Sequence, residues 1–160
     1  MIICVIGTGF RNRVDIIDTI YKNVSKYDIK IIGILWGKLK SYNLIKDKIK
    51  LIAISDEEAS KYYSNVKINL NIHRAYNDDT IKKLNIDKIK AISPNNRTFD
   101  ISAVGGFQIV DYREDLDRFY KIGEEIVAYD DVKDLINKIH YYLEHDEERI
   151  KLLKMHIKEQ

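Results

Sequence analysis

The chain has 160 residues, of which 45% are hydrophobic and 32% charged. That is the mix of a soluble globular protein, on a length that suits one domain with a substantial core. A net charge of +2 with scattered lysines argues against a nucleic-acid surface, and no run approaches the ~20 apolar residues needed to span a bilayer.

The elements follow in chain order. Ile2 to Ile6 is a short apolar run closed by Gly-Thr-Gly, which predicts a buried strand. Its Cys4 is the sole cysteine, so no disulfide within the chain is possible and a reducing, cytoplasmic setting is expected. Gly7 to Arg13 interrupts the apolar start too early for a signal peptide. Val14, Ile17, Ile20, Tyr21 and Val24 recur at helical spacing. Ile29 to Leu35 and Ile49 to Ile54 read as the second and third strands, with Lys38 to Lys50 undiagnostic between them. Ser55 and Glu58 make a capping-box pattern that opens a helix. Val66 to Ile72, Phe107 to Val110 and Glu125 to Tyr129 read as three further strands.

A helix is expected from the Pro94-Asn95-Asn96 start, ended by Gly105-Gly106. The chain closes with a helix carrying Val132, Leu135, Ile136, Ile139 and Leu143 on one stripe. A last helix runs to Gln160, with Asp146 as its expected cap. Strands alternating with helices imply parallel strands and right-handed crossovers. The predicted architecture is a doubly wound parallel sheet in a three-layer α/β/α sandwich spanning residues 1–160. Ligands in such sheets bind beyond the carboxyl ends of the strands, which selects the residues that carry chemistry.

Gly7-Thr8-Gly9 with Arg11 and Arg13 opens the first helix, a place where backbone can approach a phosphate. Asn12 stands where a dinucleotide fingerprint needs its third glycine, which counts against NAD or FAD. His73 and Arg74 leave the fourth strand, where a histidine can meet a sugar hydroxyl or move a proton. No histidine shows a metal-ligand spacing, and Asp115-Leu116-Asp117 reads as a surface turn, so no metal is expected. The richest stretch is Asn95 to Gly106. The amides of its first turn can take a diphosphate and Arg97 can clamp it, with Asn96 and Thr98 on the same turn. Asp100, three residues after Arg97, can accept from the hydroxyls of a ribose; the bland reading is a surface ion pair.

The stretches VKINLNIHR, NNRTFDISAVGGFQIVDYREDLDRFYKIGEEIVAYDD and LINKIHYYLEHDEER together resemble the C-terminal domain of the CgeB/YkvP-type spore-protein glycosyltransferases. These fall in the GT-B group with family 4-like donor domains. The resemblance covers nearly the whole chain. It implies a Rossmann-like domain that binds a nucleoside diphosphate sugar. In that picture Arg97 and the helix start hold the diphosphate, approached by Arg13 and the turn Gly7, Thr8, Gly9. Asp100 takes the place of a glutamate on the ribose, the base rests near Ile54 and Ser55, and His73 and Arg74 face the sugar. Ile92 stands where family 4 enzymes carry an earlier glutamate. GT-B enzymes use two such domains, so a missing N-terminal acceptor domain or partner subunit is expected. The alternative is a non-catalytic nucleotide-binding or structural module of the same fold. A receiver-like signalling domain fails at the first strand end, where Gly-Thr-Gly-Phe replaces the acidic cluster it needs.

Overall fold

The computed structural model of the chain describes residues 2–81 and 85–158. Six parallel strands form one sheet in the order β3-β2-β1-β4-β5-β6. The strands are β1 (Ile3–Ile6), β2 (Ile29–Ile32), β3 (Ile49–Lys50), β4 (Ile68–Asn71), β5 (Gln108–Asp111) and β6 (Val127–Tyr129). The helices are α1 (Arg11–Val24), α2 (Tyr42–Ile45), α3 (Asp56–Asn65), α4 (Asn96–Ala103), α5 (Val132–Glu144) and α6 (Asp146–Lys158). The register is set by apolar pairs, Ile3 opposite Ile29 and Ile31 opposite Ile49. Strand order reverses between β1 and β4, and ligand crevices form at that switch point.

Both faces of the sheet are covered, which explains strands that are apolar almost throughout. On one face the stripe Val14, Ile17, Ile20 and Val24 of α1 meets Leu135 and Ile139 of α5. On the other, Ala59 and Tyr63 of α3 pack with Ile101 of α4. No helix among the described residues is long and apolar enough to cross a membrane.

Local signals place the helix starts. Ser55 accepts from the Glu58 amide at 3.2 Å, and Asp131 from the Asp134 amide at 2.8 Å. Asp146, expected as a cap, is instead the first helical residue, and its carboxylate holds Lys67 and Arg149. Glu159 and Gln160, to which the helix was expected to run, lie outside the described residues. The edge strand is shorter than its apolar run. Gly33 donates to the Lys50 carbonyl at 3.0 Å, and pairing then stops, leaving Leu51 and Ile52 each 45% exposed. With no outer strand to hold them, Ile52, Ala53 and Ile54 turn to line a cleft. The undiagnostic middle folds as 3-10 turns at Trp36–Lys38 and Lys46–Lys48 around α2.

Candidate functional site

A cleft of about 530 Å³ opens beyond the carboxyl ends of β1 and β2. Gly7 and Thr8 form its floor, Ile52 to Ile54 one wall, and Asn96, Arg97 and Asp100 of α4 the other. A larger hollow of about 630 Å³ lies along the outside of α1. It is remote from the strand ends, and the Asp18 carboxylate there is spent on the Lys40 and Ser41 amides.

The cleft begins with the β1–α1 turn. Gly7 has φ 135°, which side-chain-bearing residues rarely adopt. A Cβ built there would lie 2.7 Å from Arg97 Nη2 and 3.0 Å from Arg13 Nη1, so two guanidinium groups converge on this one α-carbon. Trp36, fully buried, donates from Nε1 to the Gly7 carbonyl at 2.7 Å and pins the turn from below. Gly9 lies outside the cleft, against the Leu35 backbone and the Trp36 ring. Trp36→Phe keeps the packing but strands that carbonyl; a loss of roughly 1–2 kcal/mol is expected in urea unfolding.

Arg13 is buried, with Nε donating to the Ile72 carbonyl at 2.7 Å and Nη1 to the Thr8 carbonyl at 2.9 Å. Burial first, and the Arg97 guanidinium second, pull its pKa down to about 10. It stays charged at neutral pH; the carboxylates of Asp111 and Asp78 offset part of the repulsion between the two cations, and an anion in the cleft would offset more.

The start of α4 faces the same point. Asn95 caps it, Oδ1 accepting from the Thr98 amide at 3.0 Å. The preceding amides, of Asn96 and Arg97, meet no acceptor among the described residues. They are the free donors that make a helix start an anion site. Arg97 and Asp100 both line the cleft, and no ion pair joins them. The surface-pair reading would have spent both charges on each other.

Other expected contacts are put to different use. Thr98, named with the nucleotide site, is fully buried and turned to the sheet. Its hydroxyl accepts from Asn71 at 2.9 Å and donates to Asn95 at 3.1 Å, in a polar network that reaches Gln108. The first amide of α1, at Arg11, donates to Asp78 Oδ2 at 3.0 Å, so that helix start already holds an internal carboxylate. Arg11 itself pairs with Asp79 on the surface. Arg74 lies over the Phe10 ring, 4.4 Å from its centroid, and beside Asp78 at 3.4 Å.

His73 is 5% exposed, and both ring nitrogens are engaged. Nδ1 and the backbone amide each contact Asp111 Oδ1 at 2.7 Å, and Nε2 accepts from the Asn95 amide at 2.8 Å. Held in this way, the ring turns both nitrogens to protein partners rather than towards the cleft. Burial pushes the Asp111 carboxyl up, but hydrogen bonds from His73 and the charge of Arg113 outweigh it and hold it below the usual range. Asp115 is bound to Ser93 and Arg118, and among the described residues no cluster of three or more His, Cys, Asp or Glu is placed to hold a metal.

Tyr63 and Asp111 were not singled out from the sequence. Tyr63 lines the cleft with its hydroxyl beside Arg97. Asp111 sits at the last position of β5, a strand end that could have drawn notice.

Six parallel strands covered by helices on both faces, with a cleft beyond the strand ends, define a doubly wound α/β domain. Residues 11–158 match the family described as glycosyl transferase-like, and the chain belongs to that family. It is 31% identical over 162 residues to spore protein CgeB of Bacillus subtilis (strain 168), covering 97% of this chain and 47% of that protein. The chain thus spans about half the length of this curated relative. The fold matches a solved structure, the C-terminal domain of a glycosyl transferase group 1 family protein from Francisella tularensis, at a TM-score of 0.62. Identity there is 12%, over 95% of this chain and 80% of that one. The fold is that of the C-terminal domain of a GT-B glycosyltransferase.

Proposed function

We propose that this chain is the donor-binding domain of a GT-B-type glycosyltransferase that takes a nucleoside diphosphate sugar. The observation that carries the reading is the convergence of the Arg13 and Arg97 guanidinium groups on Gly7, with the start of α4 at Asn96 and Arg97 lining the same cleft. The diphosphate lies there. Asp100 accepts from the ribose, and the base rests on Ile52 to Ile54. Catalysis is electrostatic: the helix start and Arg97 stabilise the charge that grows on the departing nucleoside diphosphate. The acceptor site comes from a second domain or partner. Likeness to a Bacillus subtilis spore protein supports a protein, spore-surface or cell-surface glycan as acceptor, and the lone buried Cys4 fits a cytoplasmic setting. A second reading, a non-catalytic module with the same pocket, is favoured by Ile92, 45% exposed where the related enzymes carry glutamate.

A thermal-shift panel of UDP, GDP, dTDP and CDP tests the site. At least one should stabilise the chain, by about 2.7 kcal/mol at a hundredfold excess over Kd. With positive charge supplied by arginine and hydrogen-bond donors by backbone amides, the shift should persist in EDTA. No shift with any nucleotide would remove the donor-site reading. A shift lost on chelation and restored by Mn²⁺ would move the site to Asp115 and Asp117. Transfer by the chain paired with an acceptor domain separates the enzyme from the non-catalytic module.

A further inference from the structure

We propose that His73 is the positioning residue of the α4 anion site, and that protonating its ring switches the site off. The inference rests on the start of α4 being the diphosphate site. It adds a control element there, built from a residue that touches no ligand.

The geometry forms a relay across the sheet. Asp111 at the end of β5 accepts from His73, fixing the proton on Nδ1 and leaving a lone pair on Nε2. That lone pair accepts from the Asn95 amide at 2.8 Å. Asn95 then caps α4, and the next residues, Asn96 and Arg97, present the free amides and the guanidinium. Asn71, fully buried, ties the Asn95 side chain from the neighbouring strand. The cap is therefore held at its amide by His73 and at its side chain by Asn71. Of these two holds, only the first is made by an ionisable side chain.

A second proton makes both ring nitrogens donors. The Asn95 amide then faces an N–H instead of a lone pair, and the cap must shift. The charges around the ring decide whether this outweighs simple attraction between a new cation and a phosphate. Asp111 contacts the ring directly, with Arg113 on its other oxygen at 2.9 Å and Tyr129 of β6 beside it. Arg13 of α1 holds the Ile72 carbonyl, Arg74 follows in the chain and is paired with Asp78, and Arg97 projects from α4. The new charge is met at once by Asp111, and His73 does not line the cleft. The lost acceptor, by contrast, acts on the residue next to the site. Acid should therefore weaken anion binding.

The test uses the full chain with UDP-glucose and GDP-mannose, diphosphate diesters whose charge is constant across the range. Wild-type affinity, by calorimetry, should fall about tenfold or more between about pH 8 and about pH 5.5. His73→Gln places an amide oxygen near the position of Nε2 and cannot titrate. It should bind within about threefold of wild type at the higher pH and stay flat. His73→Asn replaces Nδ1 alone and should bind weakly at both. Flat or tighter wild-type binding in acid, or equal behaviour of the two variants, overturns the proposal. If neither nucleotide sugar binds the wild type at any pH, the donor-site reading falls, and with it the switch. The positioning contact is then judged alone by the Asn95 amide resonance, which should titrate with the His73 ring in wild type and be fixed in His73→Gln. An Asn95 resonance that ignores the ring overturns that too.

Discussion

Gly33→Ala is expected to destabilise the domain by roughly 3–5 kcal/mol, enough to leave it largely unfolded at 37 °C. Gly33 ends β2 with φ 141°, a conformation that side chains rarely adopt, and a Cβ there would overlap the carbonyl of Gly7. Backbone strain and overpacking add at one atom, and the obstacle is main chain, which cannot rotate away. The displaced residue, Gly7, is the floor of the cleft. Gly37→Ala is the matched control: its Cβ would meet nothing within 4 Å, and a change within about 0.5 kcal/mol is expected. Urea unfolding of both variants gives the comparison. Equal stability of the two would mean that β1 and β2 do not close on each other as described.

Arg97→Ala and Asp100→Ala should part by ligand. Both residues line the cleft and neither is paired with the other, so each replacement should change stability by under about 1 kcal/mol. Removing the Arg97 guanidinium should cost a nucleoside diphosphate roughly 1.5–3 kcal/mol, about ten- to a hundredfold in affinity, and leave a bare nucleoside nearly untouched. Removing the Asp100 carboxylate should weaken both, since both carry the ribose. Calorimetry on the four combinations reads this directly. Unchanged affinities throughout would return Arg97 and Asp100 to the surface.

What the sequence made legible was local. Six strands stand where their apolar runs stand, because alternation with helices admits few other arrangements. The cap at Ser55 was readable because a side chain and the amide it serves lie three residues apart. The start of α4 was readable for the same reason, and it brought Asn96, Arg97 and Asp100 to the cleft wall. Contacts between distant segments were not readable. The α1 start looked like a phosphate cradle until Asp78, 67 residues further on, closed over the Arg11 amide. His73 looked like a free acid–base group because nothing in Asn71 to Arg74 announces Asp111, 38 residues away. Thr98 shares a turn with Arg97, yet helical geometry turns it inward to Asn71. The third strand was overlong because its apolar residues line a cleft rather than pair, and hydropathy alone does not separate those uses.

The measurement that tests the central claim most directly is a crystal structure of this chain with the nucleoside diphosphate that gives the largest thermal shift. The account predicts phosphate density over Gly7, within hydrogen-bond reach of the Asn96 and Arg97 amides and of the Arg97 guanidinium, with the ribose at Asp100 and Asp78 still on the Arg11 amide. Phosphate at the start of α1 with Asp78 displaced, or a cleft left empty at about millimolar nucleotide with the ligand elsewhere, would contradict it.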